Sequence, residues 1–85
     1  MAYKILIKPS VIKDLDILPD IEVQRILSRI KQLQENPRPI GIQKLTDEKG
    51  FRIRSGKYRI LFEINDNLKT ISIYRIKHRK GIYRG

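Results

Sequence analysis

The chain has no cysteine and a single histidine, His78. The first absence excludes a disulfide framework and any thiolate metal site, and one imidazole cannot build a histidine-based one. Acidic residues are scarce, nine against 19 Lys and Arg, and they form no cluster of the kind that holds paired metal ions for phosphodiester chemistry. There is no glycine-rich phosphate loop. No apolar run approaches the roughly 20 residues needed to cross a bilayer. The first residues lack the apolar stretch and small-residue cleavage site of a secretory signal, so a cytosolic location and no membrane partner are expected. Nothing in the composition asks for a cofactor.

What is present is one small domain, 1–85, with a net charge of +10. The charge is uneven. Residues 1–42 hold seven Lys/Arg against five Asp/Glu, a net of +2, and residues 43–85 hold twelve against four, a net of +8. The cationic field therefore belongs to the second half. Nucleic acid is the first partner class for such a field, ahead of an acidic protein or an anionic membrane.

Residues 3–7 alternate Tyr3, Ile5 and Ile7 against Lys4 and Lys8, as in a strand that Pro9 ends. Ser10 suits an N-cap for a short helix to about Leu18, with Val11, Ile12, Leu15 and Leu18 as its apolar stripe. Pro19-Asp20 breaks it, and Asp20 can cap a longer helix. There, Val23, Ile26, Leu27, Ile30 and Leu33 recur at helical spacing until Asn36-Pro37. Residues 37–50 read as a connector, with Leu45 available to dock onto the core and a turn at Asp47–Gly50. Three strands follow, over about 51–55, 58–65 and 68–76. The expected fold class is α+β, in the order β-α-α-β-β-β. Two N-terminal helices would cover one face of a small, mostly antiparallel sheet that the first strand also joins.

The hairpin at 51–62 carries the main signal. Side chains in a strand alternate between faces. Phe51 and Ile53 face one way and Arg52 and Arg54 the other; across the Ser55-Gly56-Lys57 turn, Tyr58, Ile60 and Phe62 oppose Arg59. With the apolar faces aligned, three guanidiniums emerge on a shallow outer surface. His78, Arg79, Lys80, Tyr83 and Arg84 then follow at or beyond the end of the last strand and can reach the same face. Fixed cations with one imidazole and one phenol suit RNA, which carries its own nucleophile in the 2′-hydroxyl. Arginine neutralises phosphoryl charge but stays protonated, so proton transfer would fall to histidine or tyrosine. The bland alternative for Arg52 and Arg54 is the solvated side of an amphipathic strand.

The run Phe51-Arg-Ile-Arg-Ser-Gly-Lys-Tyr-Arg-Ile-Leu-Phe, together with Ile76-Lys-His-Arg-Lys-Gly-Ile-Tyr-Arg, resembles the RelE/ParE superfamily of type II toxin–antitoxin toxins, more closely its RelE-like branch. The resemblance spans essentially the whole chain, including the Asn-Pro loop and the Lys44-Leu45 step. It implies a metal-independent endoribonuclease, an mRNA interferase that cuts message on the ribosome and so inhibits translation. It also implies a cognate antitoxin, often in a heterotetramer. By position, Arg59 matches the strand arginine on the scissile phosphate, Arg79 the second phosphate-stabilising arginine, and Tyr83 the tyrosine that orients or stacks on RNA. Arg52 and Arg54 stand where well-known members have lysines, one of them a suggested general base. Proton transfer here is therefore expected from His78, or from ribosomal RNA and water. Lys44, Lys57, Lys77, Lys80 and Arg84 are the expected further RNA contacts. Two rival readings share the fold: a ParE-like inhibitor of DNA gyrase, and a non-catalytic nucleic-acid-binding regulator.

Overall fold

A computed structural model describes residues 2–46 and 49–78. The elements are β1 (Lys4–Ile7), α1 (Pro9–Asp16), α2 (Asp20–Glu35), β2 (Gln43–Lys44), β3 (Phe51–Ser55), β4 (Tyr58–Asn65) and β5 (Thr70–His78). They form one five-stranded sheet in the order β1-β5-β4-β3-β2. Every pairing is antiparallel except β1 with β5, which is parallel with Lys4 opposite Thr70 and Ile7 opposite Ile73. The expected helices and main strands are there. The sequence reading missed β2, two residues inside the supposed connector, and placed the start of β5 two residues early. No helix among the described residues is long and apolar enough to cross a membrane.

The core lies between the helices and one face of the sheet. Val11 from α1 and Ile26, Ile30 and Leu33 from α2 pack with Ile53, Ile60, Phe62, Ile71, Ile73 and Ile76. The helical residues follow the spacing of an apolar stripe; those in the sheet are the alternate positions of β3, β4 and β5. Burying each such side chain contributes about 1.5–3 kcal/mol, so the face of each strand is firmly set. Ile12 and Leu27 were expected in the helical stripes but stay largely in solvent.

Neither expected helix cap forms. Pro9 and Asp20 are the first residues of their helices, and neither start has a side-chain cap hydrogen bond. Ser10 instead donates its hydroxyl to the Tyr74 carbonyl at 2.6 Å. The reason lies in the short first strand. β1 covers β5 only as far as Ile73, and beyond it the edge of β5 faces α1. Lys8 N–H donates to Ile73 O at 3.0 Å, Ser10 follows, and the Asp14 carboxylate accepts the Ile76 N–H at 2.8 Å. Helix side chains thus continue the ladder where strand pairing stops, which satisfies backbone groups that would otherwise be buried unpaired. Asp14 is 6% exposed and also lies 3.2 Å from the Arg75 Nε.

Two further features shape the outer face. Gly56 adopts φ +58° in the two-residue turn between β3 and β4, a conformation suited to glycine. Between Leu61 and Phe62 the register with β5 slips, so that Leu61 faces Arg75, Phe62 faces Ile73, and Tyr74 is the extra residue of a bulge. Tyr74 sends its hydroxyl to the Lys49 carbonyl at 2.9 Å, which ties β5 to the loop before β3. At the opposite end, Arg38 makes a two-pronged contact with Asp66 at 3.2 and 2.8 Å, and the Tyr3 hydroxyl donates to the same carboxylate at 2.7 Å. These hydrogen bonds, Arg38 first, lower the Asp66 pKa from 3.8 to about 2.

Candidate functional site

The sheet face away from the helices carries a small grid of cations. Strand pairing puts Arg52, Leu61 and Arg75 side by side across β3, β4 and β5. The next row is Arg54, Arg59 and Lys77. Neighbouring strands lie about 4.8 Å apart, so one leucine is surrounded by cationic side chains within a few ångströms of backbone spacing. The arrangement follows from sequence. The apolar alternates of each strand are committed to the core, which forces their basic neighbours outward.

Within this grid lies a cleft of about 340 Å³ lined by Lys44, Leu45, Thr46, Arg52, Arg59, Leu61 and Lys77. Lys44–Thr46 form one wall. Leu61 belongs to the floor and is only 3% exposed, although it faces away from the helices. The outer face is therefore a partly enclosed cleft, where the sequence suggested a shallow surface, and Leu45 lines it instead of docking onto the core. Arg52 is held by Nε donation to Gln43 Oε1 at 2.7 Å. The Arg59 Nε is buried and has no hydrogen-bond partner among the described residues. Among the described residues no carboxylate lines the cleft. A desolvated guanidinium nitrogen beside three further cations is a costly arrangement for the free protein, and an anion with several oxygen acceptors relieves it.

Of the residues expected to form the site, the fold brings Arg52, Arg59, Lys44 and Lys77 to one cleft. Arg54 shares their face but lines a different hollow against α2, with Arg25, Arg29 and Gly56; its carbonyl accepts from Arg29 Nε at 3.2 Å. Lys57 is exposed in the turn and borders Pro19, Glu22 and Tyr58, away from the cleft. His78 is not brought to Arg52, Arg54 and Arg59. It pairs with Tyr58 in the register, one residue beyond Lys77, so strand alternation turns it toward the helix side. Its ring meets that of Tyr58 edge-on at 5.4 Å. Arg79, Lys80, Tyr83 and Arg84 lie outside the described residues. No group of three or more Asp, Glu or His among the described residues could hold a metal ion.

Sequence reasoning overlooked Gln43, which orients Arg52, and the pair Asp14–Arg75. Asp14 did leave a trace. It occupies a stripe position of α1, three residues after Val11 and four before Leu18, where a carboxylate is out of place unless it has buried partners.

Comparison with known proteins agrees with this architecture. The family described as ParE toxin of type II toxin-antitoxin system, parDE, matches residues 5–83. A Methanocaldococcus jannaschii protein named as toxin RelE1 is 30% identical over 99% of this chain and 98% of its own length. Toxin RelG of Mycobacterium tuberculosis is 32% identical, with 99% of each chain covered. Among solved structures, the archaeal RelE–RelB complex from Pyrococcus horikoshii superposes with a TM-score of 0.80 at 29% identity, over 93% of this chain and 97% of that one. A match along nearly the whole sequence, on a fold whose outer face gathers arginines, places this chain in the RelE/ParE superfamily, as a RelE-like toxin of a type II toxin–antitoxin system.

Proposed function

We propose that this toxin is a ribosome-dependent endoribonuclease that cuts mRNA by attack of a ribose 2′-oxygen on the adjacent phosphorus. The carrying observation is the cleft itself, in which Arg52, Arg59, Lys77 and Lys44 converge with no carboxylate among the described residues, and the Arg59 Nε is buried without a partner among them. In the reaction the 2′-oxygen forms a bond to phosphorus and loses its proton. The bond to the 5′-oxygen breaks, and that oxygen gains a proton. The products are a 2′,3′-cyclic phosphate and a 5′-hydroxyl. Negative charge grows on the non-bridging oxygens on the way, and donors already fixed around that position stabilise it without reorganisation. Arg59 is assigned to the scissile phosphate, Arg52 and Lys77 to its flanks. Arg79 and Tyr83 are assigned a second phosphate contact and base stacking from the family resemblance. With His78 turned to the other face, proton transfer is assigned to ribosomal groups and water.

The same reading includes a cognate antitoxin. Its support is that relatives of this fold were solved as RelE–RelB complexes, and that the basic outer face suits an acidic segment. Induction of the chain should halt translation and leave messages cut on ribosomes, visible by primer extension. Arg59→Ala should lower cleavage by about 10²–10³-fold, the usual effect of removing one such donor. Full cleavage by a folded Arg59→Ala protein would refute the assignment.

A second reading is favoured by the matching family description, which is that of ParE. On that reading the chain inhibits DNA gyrase and cuts no RNA. A supercoiling assay run beside primer extension separates the two, and salt-sensitive RNA binding without either activity would indicate a regulator.

A further inference from the structure

A second hollow opens beside the cleft, on the other side of Lys77. It is about 270 Å³ and is lined by Ser10, Tyr74, Arg75 and Lys77. We propose that it is a second backbone-phosphate site, in which Arg75, positioned by Asp14, takes a phosphate next to the scissile one. This inference rests on the reading of the main cleft as an RNA site. Arg75 and Lys77 are two residues apart on one strand and share a face, which spaces their backbones by about 6.6 Å. That is a repeat suited to successive phosphates of an extended single strand. Lys77 lines both hollows, so the track is continuous from Arg52 and Arg59 to Arg75.

Asp14 makes the position of Arg75 specific. The carboxylate is buried and is fixed on the Ile76 N–H, one residue along from Arg75, so it cannot follow a moving side chain. It approaches the Arg75 Nε at 3.2 Å while the Arg75 side chain stays 42% exposed. An arginine used only to neutralise Asp14 would serve as well lying flat on α1. This one borders the hollow that shares Lys77 with the cleft. A charged groove that follows the backbone is the usual means of holding single strands irrespective of sequence.

The test is RNA binding by the full chain. The probe is an all-2′-O-methyl octanucleotide, which has no free nucleophile; an all-2′-O-methyl dinucleotide, whose single phosphodiester can occupy only one hollow, is the control. Affinity is followed by fluorescence anisotropy between about 50 and 200 mM salt, and Arg75→Ala should lower the slope of log K against log salt by about 0.7, the signature of one lost phosphate contact on a single strand. The dinucleotide slope should not change, and Arg75→Lys should keep the wild-type slope. Asp14→Asn/Arg75→Ala, which leaves no unpaired buried charge, should behave as Arg75→Ala does, so that a folding defect is not mistaken for a lost contact. An unchanged octanucleotide slope in Arg75→Ala, with a reduced one in Arg59→Ala, would reduce Arg75 to a counter-ion and leave the main cleft standing. Wild-type binding that is insensitive to salt and to Arg59→Ala would overturn both assignments.

Discussion

Replacing Asp14 by alanine should unfold the edge where α1 meets β5. The carboxylate accepts the Ile76 N–H at 2.8 Å, is 6% exposed and lies against Arg75. Alanine removes a hydrogen bond to a charged acceptor and strands a buried N–H near the end of β5. The loss of such a bond, with one partner left unsatisfied, costs about 2–4 kcal/mol. In a domain of this size each kcal/mol shifts the midpoint by about 4–8 °C, so Asp14→Ala should melt about 8–32 °C below wild type. Asn keeps an oxygen for Ile76 and gives up only the attraction to a half-exposed guanidinium, so Asp14→Asn should lose no more than about 1 kcal/mol. Circular dichroism melts give both values, and amide exchange at Ile76 reports the bond directly. A midpoint within about 3 °C of wild type for Asp14→Ala, a shift below 1 kcal/mol on that scale, would refute the account. So would an Asn variant as unstable as the Ala one.

Other expectations follow from the same geometry. Arg59→Ala should leave the melting temperature unchanged or raise it, because it removes a buried unpaired nitrogen from a cationic cluster; a fall of more than about 1 kcal/mol in a denaturant titration would contradict this. Gly50 adopts φ +100°, and a Cβ there would lie 2.3 Å from the Phe62 carbonyl, so Gly50→Ala should destabilise by about 1–3 kcal/mol and weaken RNA binding by displacing the Lys44–Thr46 wall. Asp66 has its pKa lowered from 3.8 to about 2, so its share of stability is complete above the unfolded value and is lost as pH falls from about 4 through 2. The stability difference between wild type and Asp66→Asn should accordingly be constant near neutrality and shrink over that interval; a difference that grows on acidification would reverse the sign.

The core and the outer arginines could be read from the chain because both rest on alternation. Once Ile53, Ile60 and Phe62 must be buried, the places of Arg52 and Arg59 follow. His78 illustrates the limit of that logic. A place at or beyond the end of the last strand suggested that it could reach the arginine face, yet the strand continues through His78, and alternation turns it to the other side from Lys77. β2 escaped because two residues show no period. The helix caps failed for a tertiary reason: the N-terminal side chains of α1 are claimed by the open edge of β5, a demand that local signals do not contain. Leu61 was legible as apolar but not as the floor of a cleft, since that depends on where the wall at 44–46 folds.

The parallel pairing of β1 with β5 bears on the toxin's own synthesis. Residues 4–7 find their partners only at 70–73, and Asp14 finds its own only at 76. A nascent chain that has not yet released that stretch from the translating machinery holds an incomplete sheet, with Lys77 missing from the cleft. Contacts so distant along the chain also form late. The cation cleft is therefore assembled only once residues 70–77 are free to pair, and no shorter nascent chain carries the complete face.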